Sequence, residues 1–241
     1  MRLFLKMWRI ACEPRWLLAL LRVGVAASSE HRSALSRLEC SFVVDIGANK
    51  GQFSLFARHF FPVARIDAFE PLEGPAVVFR KLFINDPHVV LHAFAVGESS
   101  ASATMHVSAR DDSSSLLPIG SEQTRIFPGT QEAARETVEV RRLDDIIKSG
   151  DITAPALLKL DVQGYELPAL RGCDALLDRF QYVYCECSFV PLYEGQALAD
   201  AVIAWLHERG FVLKGVYNMA YETGGRAIQA DFLFFRASSC V

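Results

Sequence analysis

The sequence predicts an α/β fold in which a mostly parallel, seven-stranded sheet is covered on both faces by helices. Two observations carry this expectation. From residue 41 onward, short β-branched and aromatic runs alternate with helix-length amphipathic stretches, the order that lays helices on a parallel sheet. The last two runs are joined by a Gly-containing turn, residues 218–226, with no helix between them, so they should pair as an antiparallel hairpin at the sheet edge. A length of 241 residues supports one such domain, expected over residues 41–241, with residues 1–40 as a helical lid or cap ahead of it.

The first 25 residues carry Arg2, Lys6, Arg9, Arg15 and Arg22 against Glu13 alone, a net +4, and their longest uncharged run is Trp16–Leu21. A bilayer span needs about 20 apolar residues and a signal peptide an apolar stretch of about 7 to 15, so neither is expected. Two short helices broken at Pro14 and packed on the domain are expected instead. A helix lying on an anionic membrane through Trp8, Trp16 and the leucines is the alternative.

Strands are expected at Phe42–Ile46, Ala64–Phe69, Val89–Val96, Leu157–Asp161, Tyr182–Cys187, Phe211–Tyr217 and Asp231–Arg236. Helices are expected at Gly51–Phe61, Gly74–Asn85, Leu143–Lys148, Glu166–Asp178 and Ala197–Arg209. Residues 108–136, rich in Ser, Asp, Pro and Gly, read as a loop longer than a structural connection needs, and such loops are functional or disordered.

A net charge of −3 provides no basic field for a nucleic-acid backbone, so nucleic acid is not an expected partner. The six cysteines form no CxxC pair; Cys185 and Cys187 lie on one face of a strand with no second pair to complete a zinc site. They read as reduced, mostly buried thiols, which points to the cytoplasm.

The strand-to-helix turn VVDIGANKGQF, residues 43–53, sets backbone amides and a helix N-terminus against a ligand at the carboxyl end of a strand. A dinucleotide site needs a glycine where Asn49 stands, so the close approach to a diphosphate is lost. Asp45, Gly47, Asn49 and Gly51 suit an amino-acid-like cationic ligand better. Glu70 ends the second strand in AFEP, the position from which a carboxylate holds ribose hydroxyls. Its plainer reading is a helix cap or surface acid.

DIGANKGQFS, AFEP, LKLDVQGYELPALRG and GGRAIQADFLFFR resemble, in order, the motifs of the FkbM family of S-adenosylmethionine-dependent methyltransferases, a likeness spanning about residues 41–236. The resemblance implies a class I, Rossmann-like methyltransferase sheet with an antiparallel last strand. It also implies S-adenosyl-L-methionine as methyl donor and a hydroxyl of a sugar or other secondary metabolite as acceptor. Candidates are a deoxysugar such as fucose on a lipo-oligosaccharide and a polyketide hydroxyl. The acceptor is thus a small molecule, glycan or glycolipid.

Asp161 should stand beside the reacting methyl group, because strands of an open α/β sheet end on the ligand crevice. It is the first candidate for the base or acceptor-orienting group, with Glu166 supporting it. A helix-capping Asp161 is the plainer reading. Glu186 should face the same crevice, and pairing with Asp161 through a divalent cation is the weaker alternative to a metal-free site. Ser113, Ser114 and Ser115 resemble the serine-rich segment that the family carries before Leu143–Asp145, and either bind sugar hydroxyls or solvate the loop. Arg226 and Asp231 read equally as a hairpin salt bridge or as substrate contacts. His59, His88, His92, His106 and His207 lack an evident Ser or Cys partner, which leaves a hydrolytic triad without support. Two other classes fit these residues less well. A nicotinamide-dependent oxidoreductase is opposed by Asn49, and a non-catalytic binding module by the intact Asp45, Gly47, Gly51 and Glu70.

Overall fold

The computed structural model describes Trp8 and residues 10–237; Arg2, Lys6, Arg9 and Cys240 lie outside the described residues. One sheet contains seven strands: β1 (Phe42–Ile46), β2 (Arg65–Phe69), β3 (Val89–His92), β7 (Ala156–Leu160), β8 (Tyr182–Ser188), β9 (Phe211–Tyr221) and β10 (Ala227–Arg236). Their spatial order is β3-β2-β1-β7-β8-β10-β9. Pairing is parallel from β3 to β8, and β10 runs antiparallel to both β8 and β9. This is the class I methyltransferase arrangement, with the strand order reversing between β1 and β7.

All five residues of β1 and of β7 are buried, so these central strands are covered on both faces. Phe42, Val44, Ile46, Leu158 and Leu160 enter one core layer; Val43 and Leu157 enter the other. The strand period of two therefore turns Asp45 and Lys159, register partners on β1 and β7, toward the second layer.

α1 (Pro14–Val23) starts with proline at its first turn and ends on Gly24 at φ 72°. Trp16 is 1% exposed and its ring lies 4.9 Å from that of His59, whereas Leu17, Leu18 and Leu21 face outward. α2 (Arg32–Leu35) follows, then α3 (Gln52–Phe60) and α4 (Glu73–Leu82) on the flanks of the sheet. No helix among the described residues is long and apolar enough to cross a membrane.

The expected strand Val89–Val96 is two strands. After β3 the chain turns at Phe94, which is buried against Phe69, and β4 (Ala95–Val96) joins a second sheet of order β4-β6-β5. That sheet holds β5 (Ala101–Ser108) and β6 (Glu132–Arg141), which pair antiparallel and grip both ends of the Ser-rich segment. The segment itself contains the 3₁₀ turn Asp111–Ser113 and α5 (Ser121–Ile126). The helix expected at Leu143–Lys148 is a 3₁₀ turn over Leu143–Asp145, and the one expected at Glu166–Asp178 divides into α6 (Glu166–Gly172) and a 3₁₀ stretch, Asp174–Arg179. α7 (Ala199–Glu208) lies between β8 and β9 along the chain.

Candidate active site

A cavity of about 470 Å³ opens over the carboxyl ends of β1, β2 and β7, at the point where strand order reverses. Its volume falls in the range of about 300–1,000 Å³ that holds a ligand of drug size.

One side is built by the turn after β1 and the tip of β2. Gly47 has φ +78°, and a Cβ there would collide with the carbonyl oxygen of Asp161, so only glycine lets the turn pass under the end of β7. Asn49 also has positive φ, 48°; its backbone N–H donates to Glu70 Oε2 at 2.9 Å and its side-chain amide to the Asp111 carbonyl at 3.2 Å. Glu70 accepts a second backbone N–H, from Leu72, at 2.8 Å. Burial pushes this carboxyl up to about 7, against the pull of the two N–H groups and of Lys159.

Asp45 and Gly51 stand behind this surface. Asp45 is fully buried and does not line the cavity; it accepts from Ser54 Oγ at 2.7 Å and from Lys159 Nζ at 2.9 Å. Lys159 donates also to the Gly47 carbonyl at 3.1 Å, so the ion pair holds the turn's shape. Gly51, with φ +91°, leaves room for Phe79, Phe83 and Leu82, the first of which a Cβ would meet at 3.0 Å.

The other side is built by β7, β8 and β10. Asp161 lines the cavity and accepts from Gln163 Nε2 at 2.7 Å; the same nitrogen reaches Glu186 Oε2 at 3.1 Å. Gln163 has φ 54°, and the Tyr193 hydroxyl stands 2.9 Å from its Oε1 and 3.0 Å from the Ser113 carbonyl oxygen, either of which can accept its proton. Glu186 accepts from Gln229 Nε2 at 2.7 Å through its other oxygen. Burial raises the affinity of both acids for protons; Lys159 opposes this at Asp161, and the neighbouring acids Asp161 and Asp231 add to it at Glu186.

Glu166 is buried and off the cavity wall. Its Oε1 accepts the N–H groups of Val162 (3.1 Å) and Gly164 (3.0 Å), which sets the loop that presents Asp161 and Gln163. The support expected from Glu166 thus runs through the backbone. The Gln163 amide occupies the position between Asp161 and Glu186, and no group of three or more His, Cys, Asp or Glu among the described residues could hold a metal ion.

Ser113, Ser114 and Ser115 line the cavity, but their oxygens already serve the loop. Ser114 Oγ accepts the Ser108 N–H at 3.1 Å, Ser115 Oγ the Leu117 N–H at 3.0 Å, and Ser113 Oγ donates to Asp112 at 3.2 Å.

Of the two readings of Arg226 and Asp231, the hairpin salt bridge between them is not formed. Arg226 is exposed in the turn, whereas Asp231 is 9% exposed on the cavity wall and accepts from Tyr184 OH at 2.9 Å and Asn218 Nδ2 at 2.7 Å. Beside it stands His31, from the segment preceding β1, with Nδ1 3.4 Å from the Asp231 carboxylate. His31, Lys159, Gln163, Tyr193 and Gln229 were not singled out as site residues from sequence. LKLD showed a lysine inside an apolar strand, a signal for a buried ion pair; nothing local marked His31.

The model of the Methyltransferase FkbM domain matches residues 45–213. Methyltransferase sdnD of Sordaria araneosa is 28% identical over 197 residues, covering 70% of this chain and 73% of that protein. The 2-O-methyltransferase NoeI of Sinorhizobium fredii is 26% identical over 191 residues, covering 76% and 79%. The 31-O-demethyl-FK506 methyltransferase FkbM of Streptomyces tacrolimicus is 26% identical over 193 residues, covering 71% and 72%. The matched span contains the glycine turn, Glu70, Asp161 and Glu186. A buried carboxylate beside a glycine turn is a donor set that fits a ribose-bearing ligand, and the cavity has the volume for it. Sheet order, crevice and sequence likeness agree: the chain belongs to the FkbM family of S-adenosylmethionine-dependent methyltransferases.

Proposed function

We propose that this enzyme is an O-methyltransferase whose acceptor is a hydroxyl of a sugar or of a hydroxylated secondary metabolite. The observation that carries this reading is the chemistry of the cavity's second side: Asp161, Gln163, Glu186 and Gln229 offer amide and carboxylate groups in one hydrogen-bonded row. Such a row suits a hydroxyl-rich acceptor better than an apolar one. Two relatives carry names that specify oxygen methylation, the 2-O-methyltransferase NoeI and the 31-O-demethyl-FK506 methyltransferase FkbM.

In this reading the Gly47–Asn49 turn and Glu70 hold the donor, with the Glu70 carboxylate accepting hydrogen bonds from ribose hydroxyls. When bound, S-adenosylmethionine supplies a sulfonium methyl: the O–C bond forms as the C–S bond breaks, its electron pair staying on sulfur. Asp161 accepts a hydrogen bond from a second hydroxyl of the acceptor and so aims the reacting oxygen. Gln163 holds Asp161 and Glu186 apart and in place. Residues 1–40 act as a cap, contributing Ser28 and His31 to the wall.

The test supplies S-adenosylmethionine with an isotopically labelled methyl group together with a fucosylated lipo-oligosaccharide and, separately, a polyhydroxylated macrolide. Label recovered on an oxygen of either supports the reading. Label recovered on nitrogen or carbon contradicts it.

A further inference from the structure

His31 and Asp231 both lie outside residues 45–213, the span of the family-model match. They come from opposite ends of the chain and meet on the cavity wall. His31 Nδ1 is 3.1 Å from the Tyr184 hydroxyl, and that hydroxyl donates to Asp231 Oδ2 at 2.9 Å. A hydroxyl has one proton, and Tyr184 spends it on Asp231; it must therefore accept from His31, which places the imidazole proton on Nδ1. In the neutral ring Nε2 then carries the lone pair, and none of the hydrogen bonds that the described residues make to His31 uses Nε2.

The ring is held edge-on by Phe53, Phe56 and Tyr184, at centroid distances of 5.3, 5.9 and 5.4 Å. Asp231 is held by the Asn218 amide at 2.7 Å, and Asn218 sits at φ 50°, a conformation that costs free energy and persists only where its surroundings impose it. Burial raises the Asp231 carboxyl, but His31, Asn218 and Tyr184 outweigh it and keep this acid below the ordinary range, unlike Asp161 and Glu186. The dyad thus sets an imidazole whose Nε2 makes no hydrogen bond to the described residues beside a carboxylate on the cavity wall.

We propose that His31 Nε2 takes the proton of the acceptor hydroxyl during methyl transfer, with Asp231 as the residue that positions the imidazole and neutralises the imidazolium. This rests on the hydroxyl acceptor proposed above. As the acceptor oxygen gains carbon, its O–H electron pair stays on oxygen and its proton passes to Nε2. The imidazolium is compensated by the Asp231 carboxylate and returns its proton to water as product leaves, so each turnover releases one proton.

The test uses the full chain, an extract of cells lacking the protein as acceptor source, and methyl-labelled S-adenosylmethionine. His31→Ala should lower label transfer to oxygen by about 10² to 10⁴-fold while S-adenosylmethionine affinity, read by calorimetry, is unchanged. Added imidazole should restore transfer, a result that a merely structural histidine would not give. Nitrogen NMR of isotope-labelled histidine should show His31 protonated on Nδ1 in the wild type and shifted toward the other tautomer in Asp231→Asn. Label reaching oxygen as fast in folded His31→Ala as in the wild type overturns the dyad alone, and so does lost transfer that imidazole leaves lost. Wild-type label on nitrogen or carbon overturns the acceptor reading instead.

Discussion

Lys159 and Asp45 are register partners on adjacent parallel strands and form a buried ion pair at 2.9 Å. Burial disfavours the ammonium, but Asp45 and Asp161 outweigh it and hold Lys159 above its ordinary range, so the ammonium persists at neutral pH. Removing one partner leaves the other buried and uncompensated. Lys159→Met should cost about 3–5 kcal/mol in denaturant unfolding and loosen the Gly47 turn. The same variant should bind S-adenosylmethionine more weakly; unchanged stability would show that the pair is dispensable.

Gly47 is the position most sensitive to a single methyl group. Gly47→Ala places a Cβ against the Asp161 carbonyl and forces a left-handed backbone on alanine. A loss of at least about 1–3 kcal/mol of stability is expected, with S-adenosylmethionine binding abolished in whatever protein folds. Thermal melts and calorimetric titration read both.

Glu70 and Glu166 give opposite kinds of pH dependence. Burial raises each to about 7, above the ordinary 4.5, so between those values the native state holds protons that the unfolded chain has lost. Their contribution to stability therefore falls as pH rises through this window. Glu166→Gln keeps an oxygen for the Val162 and Gly164 N–H groups and does not titrate. Relative to the wild type it should gain about 3 kcal/mol across that window, measured by urea unfolding at several pH values. For Glu70 the readout is binding: the ionised form accepts ribose hydroxyls, so S-adenosylmethionine affinity should rise through about pH 7 in the wild type and stay flat in Glu70→Gln. Glu70→Ala should weaken binding by about 1–3 kcal/mol.

Much of this was legible because it is local. The glycine turn and the acid at the tip of β2 each follow from a run of fewer than a dozen residues, and the parallel core from the repeated alternation of such runs with helices. What was not legible is long-range or locally ambiguous. Asp45 reads as a ligand contact from its place beside Gly47; its buried partner, Lys159, lies 114 residues away. Glu132–Arg141 is a strand of mostly exposed residues, without the apolar alternation that marks a strand in sequence; β5 supplies its pairing. His31 acquires its chemistry from Tyr184 and Asp231, on strands 153 residues and more downstream.

The N-terminal helix has two faces with different consequences. Trp16 is buried against His59, so Trp16→Ala should cost about 3–5 kcal/mol. Deleting residues 1–24 should destabilise the domain as well. The outward leucines, Leu17, Leu18 and Leu21, flanked by Arg15 and Arg22, mark the membrane alternative. Salt-sensitive binding to anionic vesicles that is lost on truncation, with stability untouched, would favour that alternative over a cap.

Asp161→Asn preserves size but replaces the carboxylate that holds the acceptor's neighbouring hydroxyl with an amide. Turnover should fall by about 10²-fold with little change in S-adenosylmethionine affinity. Chelators should leave the wild type active, because the Gln163 amide stands where a cation between Asp161 and Glu186 would have to sit. Reversible inactivation by chelator would contradict this arrangement.

The most direct test of the central claim, methylation of a hydroxyl oxygen, compares by mass spectrometry the glycolipids and metabolites of cells with and without this protein. The account predicts a compound that loses one CH₂ unit when the protein is missing, with fragmentation placing the lost methyl on oxygen. A methyl group lost from nitrogen or carbon, with all O-methyl groups intact, would contradict it.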